Sequence, residues 1–298
     1  MKLSQLGEER LLQQLLPGLS RNAAVVAGAG DDCAVVRTSD EKHLLLLKTD
    51  CVVEGVHFAP GTKARAVGWK AMARPLSDFA AMACVPQFAL VTLLAPATTE
   101  VAWTKELYRG LGKAACAFEV AIVGGETSRI DGPVAVSVSV VGRVEKERWV
   151  ARSGGKAGDL LFVTGRLGGS LRGHHLCFVP RLKEARWLTA NFHVHAMMDL
   201  SDGLGADLPR LARASKLGFE IDAAAIPRTR GCTVEQAISD GEDYELLFAV
   251  SLGDAAALER KWKTRFPKLR LTRIGRFNQK SAIRNRKLPP GHDHFHQP

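Results

Sequence analysis

Apolar and polar positions follow two rhythms along the chain. "GPVAVSVSVVGRV" (132–144) is apolar at almost every second position and predicts a strand with one face buried and the other half-exposed. "CAVV" (33–36) and "HLLLLKTD" (43–50) predict neighbouring strands, the second closing on an acid. "QFALVTLLA" (87–95) and "EVAIVGGE" (119–126) predict two more, and between them a Thr cap opens a helix over 98–118. Residues 62–84, "TKARAVGWKAMARPLSDFAAMAC", favour a helix. Pro75 should kink or break it before Leu76, because proline has no N–H to donate and crowds the preceding turn.

The pattern is interrupted around "RSGGKAGD" (152–159) and then resumes in the same style. The second half predicts strand 160–165, a helix from about 168, strand 195–201, helix 202–215 and strand 218–222. Helix 233–239, strand 244–250, helix 253–266 and strand 269–277 follow. A boundary near residue 147 divides the chain into domains 1–147 and 148–298, of similar size and rhythm. Alternating strands and helices place the chain in the α/β or α+β class.

The chain has 298 residues, of which 46% are hydrophobic and 24% charged, an ordinary globular balance. No stretch reaches the ~20 apolar residues that cross a bilayer, and "MKLSQLGEERLLQQLL" lacks the pattern of a secretory signal. The expectation is a cytoplasmic protein with no membrane partner. Six cysteines without a C-x-x-C pair read as reduced thiols rather than a zinc or disulfide framework. A net charge of +10 is compatible with nucleic acid, anionic small substrates or a solvated basic face. The positives crowd into 259–287, which reads as an amphipathic helix and a strand, so the solvated face is preferred.

Acids recur where predicted strands end: Asp31 and Asp32, Asp50, Glu126, then Asp199 and Asp202; Asp78 joins them from the long helix. Each alone is also what a turn or a helix cap uses. As a set they are carboxylates gathered at one rim, which repel one another unless a cation lies between them. Mg²⁺ accepts such oxygens together with substrate phosphates. Glycines flank the acids in "GAGDD", "VGGET", "SDGLG" and "DGED" and permit close backbone approach to an anion. No P-loop, dinucleotide fingerprint, protein-kinase signature, G-x-S-x-G elbow or H-E-x-x-H is present.

Taken together, "GDDCAVV", "KTDCVVEGVHF", "PLSDFAAMA", "GGETSR", "RSGGKAGDLLFVTG", "MDLSDGLGADL" and "GEDYELLF" resemble the thiamine-monophosphate kinase family. That family lies in the superfamily of aminoimidazole ribonucleotide synthetase and selenophosphate synthetase. The resemblance runs in order from about residue 28 to "GHDHF" near the end. It implies a two-domain α/β (α+β) protein of the aminoimidazole ribonucleotide synthetase-like fold, with N-terminal sheets pairing into a barrel across a homodimer. It also implies direct transfer of the γ-phosphoryl group of ATP onto thiamine monophosphate, assisted by several Mg²⁺ ions, and no nucleic-acid partner.

Residue by residue, the resemblance implies metal binding by Asp32, Thr49, Asp50, Asp78, Glu126, Asp199 and Asp202. Asp50 and Asp202 are the two whose loss should cripple turnover. It implies nucleotide contacts from Gly125, Glu126, Arg152, Ser201 and Tyr108, and thiamine monophosphate contacts from His57, Glu242 and His292. Several positions depart from the family pattern. Glu126 replaces an Asp, Lys48 a small hydroxyl residue, Arg74–Pro75 an apolar–Asn pair, Asp240 a Gly, and His292 an aromatic residue. The alternatives are a superfamily member with another acceptor, an inactive ATP-binding homologue, and a nucleic-acid binder using the basic C-terminal face.

Overall fold

The computed structural model describes residues 2–279 together with 288 and 289. Helices α1 (Leu3–Leu6) and α2 (Glu8–Leu15) lead into a six-stranded sheet. Its strands are β1 (Val25–Ala27), β2 (Ala34–Arg37), β3 (His43–Val53), β4 (Val85–Ala95), β5 (Ala121–Arg129) and β6 (Ala135–Glu145), in the order β1-β2-β3-β6-β4-β5. Only the β4–β5 pair is parallel. β6 alternates between buried and partly exposed positions, as its period-two pattern predicts. The inner face is covered by α3 (Ala64–Ala81) and α4 (Val101–Ala117).

The two helices approach so closely that glycine is required where they cross. A Cβ at Gly68 would lie 2.1 Å from the Leu107 carbonyl oxygen, and one at Gly110 would lie 2.1 Å from that of Arg65. The helix α3 is also where the structure departs from the expected break. It runs unbroken through Pro75. The hydrogen bond that proline removes is outweighed by burial, because every residue from Leu76 to Ala81 is buried in the core.

The second sheet is antiparallel throughout, in the order β8-β10-β7-β11-β9. Its strands are β7 (Leu160–Thr164), β8 (Val194–Asp199), β9 (Gly218–Ile221), β10 (Leu246–Val250) and β11 (Leu271–Asn278). Helices α5 (Leu182–Asn191), α6 (Leu204–Ala214), α7 (Val234–Ser239) and α8 (Leu252–Arg265) complete this half. The helix expected from about 168 begins at Leu182 instead. Gly168, Gly169 and Gly173 hold φ of 83°, 71° and 120°, values closed to an α-helix, so only two short 3₁₀ turns form there.

One apolar core joins the halves: α3 and the inner face of the first sheet share it with β7, α5, β10 and Trp262. No helix among the described residues is long and apolar enough to cross a membrane.

Candidate active site

Asp32 lies in the loop entering β2, Asp78 in the last turns of α3, and Asp199 at the end of β8. These three distant segments meet at the seam between the sheets. All three carboxylates are buried, and one oxygen from each lies within 4.8 Å of the others. Asp199 accepts a hydrogen bond from Ser77 Oγ at 2.6 Å, and Asp78 Oδ1 accepts one from Lys48 Nζ at 2.9 Å. Arg152 Nη2 donates to Asp32 Oδ1 at 2.5 Å, whereas Asp32 Oδ2 is buried with no hydrogen-bond partner.

The electrostatics are those of carboxylates short of positive charge. Burial, reinforced by Asp32, pushes the Asp199 carboxyl up to about 7, with the Ser77 hydrogen bond opposing. Burial also drives Asp78 well above the usual carboxylate range, with Asp50 and Asp199 adding to it and Lys48 working against it. Asp31, whose Oδ1 accepts the Arg152 backbone N–H at 3.0 Å, is raised to about 6 by burial and by Asp32. A hard divalent cation would relieve Asp78 and Asp199, and Asp32 keeps one buried oxygen without a partner to offer it. The residues present fit such an ion.

The strand register separates the rest of the expected ligands. On β3, Lys48 and Asp50 share the inner face with Leu46 and Val52, and Lys48 Nζ lies 3.8 Å from Asp50 Oδ1. Thr49 points the other way and hydrogen-bonds Ser139 Oγ at 3.0 Å on the open face. Glu126 is paired in register with Thr92 on that same open face, where its Oε1 accepts from Ser128 Oγ at 3.1 Å. Thr49 and Glu126 therefore stand apart from the Asp32–Asp78–Asp199 cluster within this chain. Gly125 has a backbone reason: a Cβ there would fall 1.7 Å from the Val91 carbonyl oxygen. Asp202 is ion-paired to Arg210, which also holds the buried Asp207 at 2.9 Å.

Two clefts open at the seam. The larger, of about 590 Å³, is lined by Asp50, Asp78, Asp199, Arg152 and Ser201, with α2 along one edge. The smaller, of about 80 Å³, is lined by His57, Glu242, Asp240, Arg74, Ser201 and Asp202. Of the residues expected to face nucleotide and acceptor, Arg152 lines the larger cleft, His57 and Glu242 the smaller and Ser201 both, while Gly125 and Glu126 line neither. Tyr108 lies exposed on α4 and lines neither. His292 lies outside the described residues.

The smaller cleft is built on a strained loop. Glu242 and Tyr244 hold φ of 56° and 52°, unusual for residues with a Cβ. Backbone bonds from Glu242 N to the Ser201 carbonyl, at 2.7 Å, and from Tyr244 N to that of Leu200, at 2.8 Å, fasten this loop to the end of β8. Asp240, one of the departures, accepts the Gly169 N–H at 2.8 Å and so ties this loop to the glycine-rich segment after β7. Glu242 is ion-paired to the fully buried Lys70 and meets His175 Nδ1 at 3.2 Å. Burial alone would raise Glu242, but His175, Lys70 and Arg74 bring its carboxyl down to about 2. Lys70 also donates to the His57 carbonyl at 2.5 Å, and burial lowers its ammonium to about 8 despite Glu242. His57 Nδ1 accepts the Val53 N–H at 3.1 Å, which in the neutral ring leaves its proton on Nε2.

Sequence reasoning had no role for Lys70 or Tyr244. The signal for Lys70 was its spacing from Arg74 and Asp78, at i, i+4 and i+8 on one helix. Tyr244 gave none, because its hydroxyl, buried without a partner at the wall of the larger cleft, depends on the tertiary fold.

The family model of the AIR synthase related protein N-terminal domain matches residues 30–144, and that of the C-terminal domain matches 150–269. The thiamine-monophosphate kinase of Rhodopirellula baltica is 40% identical over 262 residues, covering 82% of each chain. That of Aquifex aeolicus is 32% identical over 326 aligned positions, covering 99% of this chain and all of its own. A solved structure of AaThiL complexed with AMPPCP and TMP superposes with a TM-score of 0.83 at 31% identity, covering 99% of both chains. Escherichia coli HypE, a hydrogenase maturation protein, shares the fold at a TM-score of 0.68 and 19% identity, covering 91% of this chain and 92% of its own.

Proposed function

The chain belongs to the thiamine-monophosphate kinase family of AIR synthase related proteins, and from that premise we propose that it transfers the γ-phosphoryl group of ATP to thiamine monophosphate. The observation that carries this reading is the meeting of two clefts at one wall. One is bordered by an acid cluster short of cations, the other by His57 and the Lys70-paired Glu242. ATP takes the larger cleft and the acceptor the smaller. A phosphate monoester is already largely ionised at neutral pH, its second pKa being about 6, so the acceptor needs no strong general base. The task is to hold two polyanions in contact.

Mg²⁺ is the ion we assign to the cluster, held by Asp32, Asp78 and Asp199 with Asp50 nearby; when bound it screens the charge of the phosphates. Arg152 and Ser201 border the nucleotide, and Asp202 stands at the wall common to both clefts. Thr49, Gly125 and Glu126 border the nucleotide in this reading only if β5 shifts or a second copy of the chain brings its own. Exposed Phe88, Leu90 and Val123 supply an apolar open sheet face, and we propose that a second copy covers it in a homodimer. The domain division near residue 147 and a cytoplasmic location, where ATP is at hand, complete the proposal.

The test is to incubate the protein with Mg²⁺-ATP and thiamine monophosphate and to separate the products. Thiamine diphosphate formed in step with ADP supports the reading. ADP without thiamine diphosphate refutes it in favour of a different acceptor.

A further inference from the structure

Lys70, Arg74 and Asp78 follow one another at four-residue intervals on α3, so they form a single stripe with about 6 Å of rise between neighbours. The two ends of the stripe serve different clefts. Lys70 holds Glu242 and the His57 carbonyl, and Asp78 belongs to the acid cluster. Arg74, midway, lines both clefts.

Its bonding sets it apart from the cations around it. Lys48 is ion-paired to Asp78, Arg152 to Asp32, and Arg210 to Asp202 and Asp207. Each of those charges is met by a carboxylate. Arg74 is anchored through Nη1 to a neutral group, the Cys51 carbonyl oxygen, at 2.9 Å. Among the described residues it makes no ion pair and no other hydrogen bond, although a guanidinium carries five N–H donors. A half-buried cation tied to a carbonyl rather than to a carboxylate, at the wall between two anion sites, is preorganised for an anion that spans them.

We propose that Arg74 is a catalytic residue whose guanidinium touches the phosphoryl group in transit between the clefts. The inference rests on the phosphotransfer reading above. In that step an oxygen of the acceptor phosphate forms a bond to the γ-phosphorus. The bond from that phosphorus to the β–γ bridging oxygen breaks, and its electron pair leaves with ADP. The acceptor dianion gives up no proton. The transferring group carries its charge on three equatorial oxygens, and the planar N–H fork of an arginine matches two of them. The bond to Cys51, on the strand that also carries Asp50, fixes the fork relative to the acid cluster.

The test compares native protein with Arg74→Ala and Arg74→Met in steady-state assays with Mg²⁺-ATP and thiamine monophosphate, alongside thermal melts that establish folding. The expected result is a fall in kcat of about 10³-fold, the lower end of what an arginine at a transferring phosphoryl group supplies. The KM for ATP should stay within about 3-fold, because the lost contact is made in the transition state. Guanidinium ion at tens of millimolar should restore part of the rate of Arg74→Ala and leave native protein unaffected. A merely structural role would not give that rescue. A folded variant with kcat within about 3-fold of native, or a loss confined to the KM for the acceptor, overturns the assignment. If native protein forms no thiamine diphosphate at all, the phosphotransfer reading fails first and this inference falls with it.

Discussion

The acid cluster and the Lys70–Glu242–His175 group lie at opposite ends of one helical stripe, yet they solve the problem of buried charge in opposite ways. Around Asp32, Asp78 and Asp199 like charges are brought together. Burial raises Asp78 and Asp199, and one Asp32 oxygen is left without a partner. Around Glu242 the chain supplies its own counter-ion, and the carboxyl is held down at about 2. The first region leaves carboxylate charge unmet as folded, which in the proposed reading a cation meets; the second is complete as folded. Metal dependence should therefore be confined to one end of the site, and sensitivity to loss of a charge partner to the other.

The largest contrast should come from removing one partner at each end. Lys70→Met leaves Glu242 buried without its counter-ion, and breaking a buried pair in this way costs about 3–5 kcal/mol. Denaturant melts should show that loss with or without Mg²⁺, and Lys70→Met with Glu242→Gln should recover part of it. Asp199→Asn removes a repelling charge while keeping the shape. Metal-free melts should be unchanged or improved by about 1 kcal/mol, while turnover falls by about 10²–10³-fold. A metal-free Asp199→Asn protein markedly less stable than native would mean that the cluster is not strained.

The two ends should also answer pH with opposite sign. Glu242 has a folded value near 2, below its usual 4.5. Its contribution is fully present above 4.5 and is lost as pH falls toward 2, amounting to at most about 3 kcal/mol. Asp199 has a folded value near 7, above its usual 3.8. Between those values the folded state binds more protons than the unfolded one, so its contribution declines as pH rises from 3.8 to 7. Metal-free melts between pH 5 and 7 should therefore gain from Asp199→Asn, most of all at pH 7. Adding Mg²⁺ should flatten that limb and leave the acid limb unchanged.

The two ends were not equally legible in the sequence. Asp32, Asp50, Glu126 and Asp199 could be grouped because predicted strands ending on acids put carboxylates at one rim, a local pattern, with Asp78 added from the long helix. The period-two rhythm of β6 was equally local and equally readable. Thr49 was added by resemblance, and the pleat of β3 and the β4–β5 register set it and Glu126 on the other face. Burial along α3 overruled a local rule at Pro75, and three left-handed glycines delayed the helix expected at 168 until Leu182. Lys70 offered only its spacing on the helix as a signal. A lysine among "VGWKAMAR" reads as a solvated helix position, and only the arrival of Glu242 and His175, more than a hundred residues away, makes it a buried counter-ion.

The smallest effect expected tests whether the acid cluster already holds part of its answer. Among the described residues, Lys48 is the one departure ion-paired to the acids at the cluster, 2.9 Å from Asp78 and 3.8 Å from Asp50. Burial works against its charge, but Asp78 and Asp50 raise its pKa above the usual lysine value. Lys48→Met removes this cation without opening a cavity. The penalty is capped, because a buried carboxyl that loses its partner takes up a proton rather than remain charged. Metal-free protein should lose about 1 kcal/mol or less, well short of the loss at Lys70. Saturating Mg²⁺ should erase most of the difference, since a divalent ion beside Asp78 replaces the ammonium. Paired thermal melts with chelator and with Mg²⁺ measure both. A Lys48→Met penalty that persists undiminished in Mg²⁺ would mean that the lysine and the ion do not share those oxygens, and the contrast between the two ends would have to be redrawn.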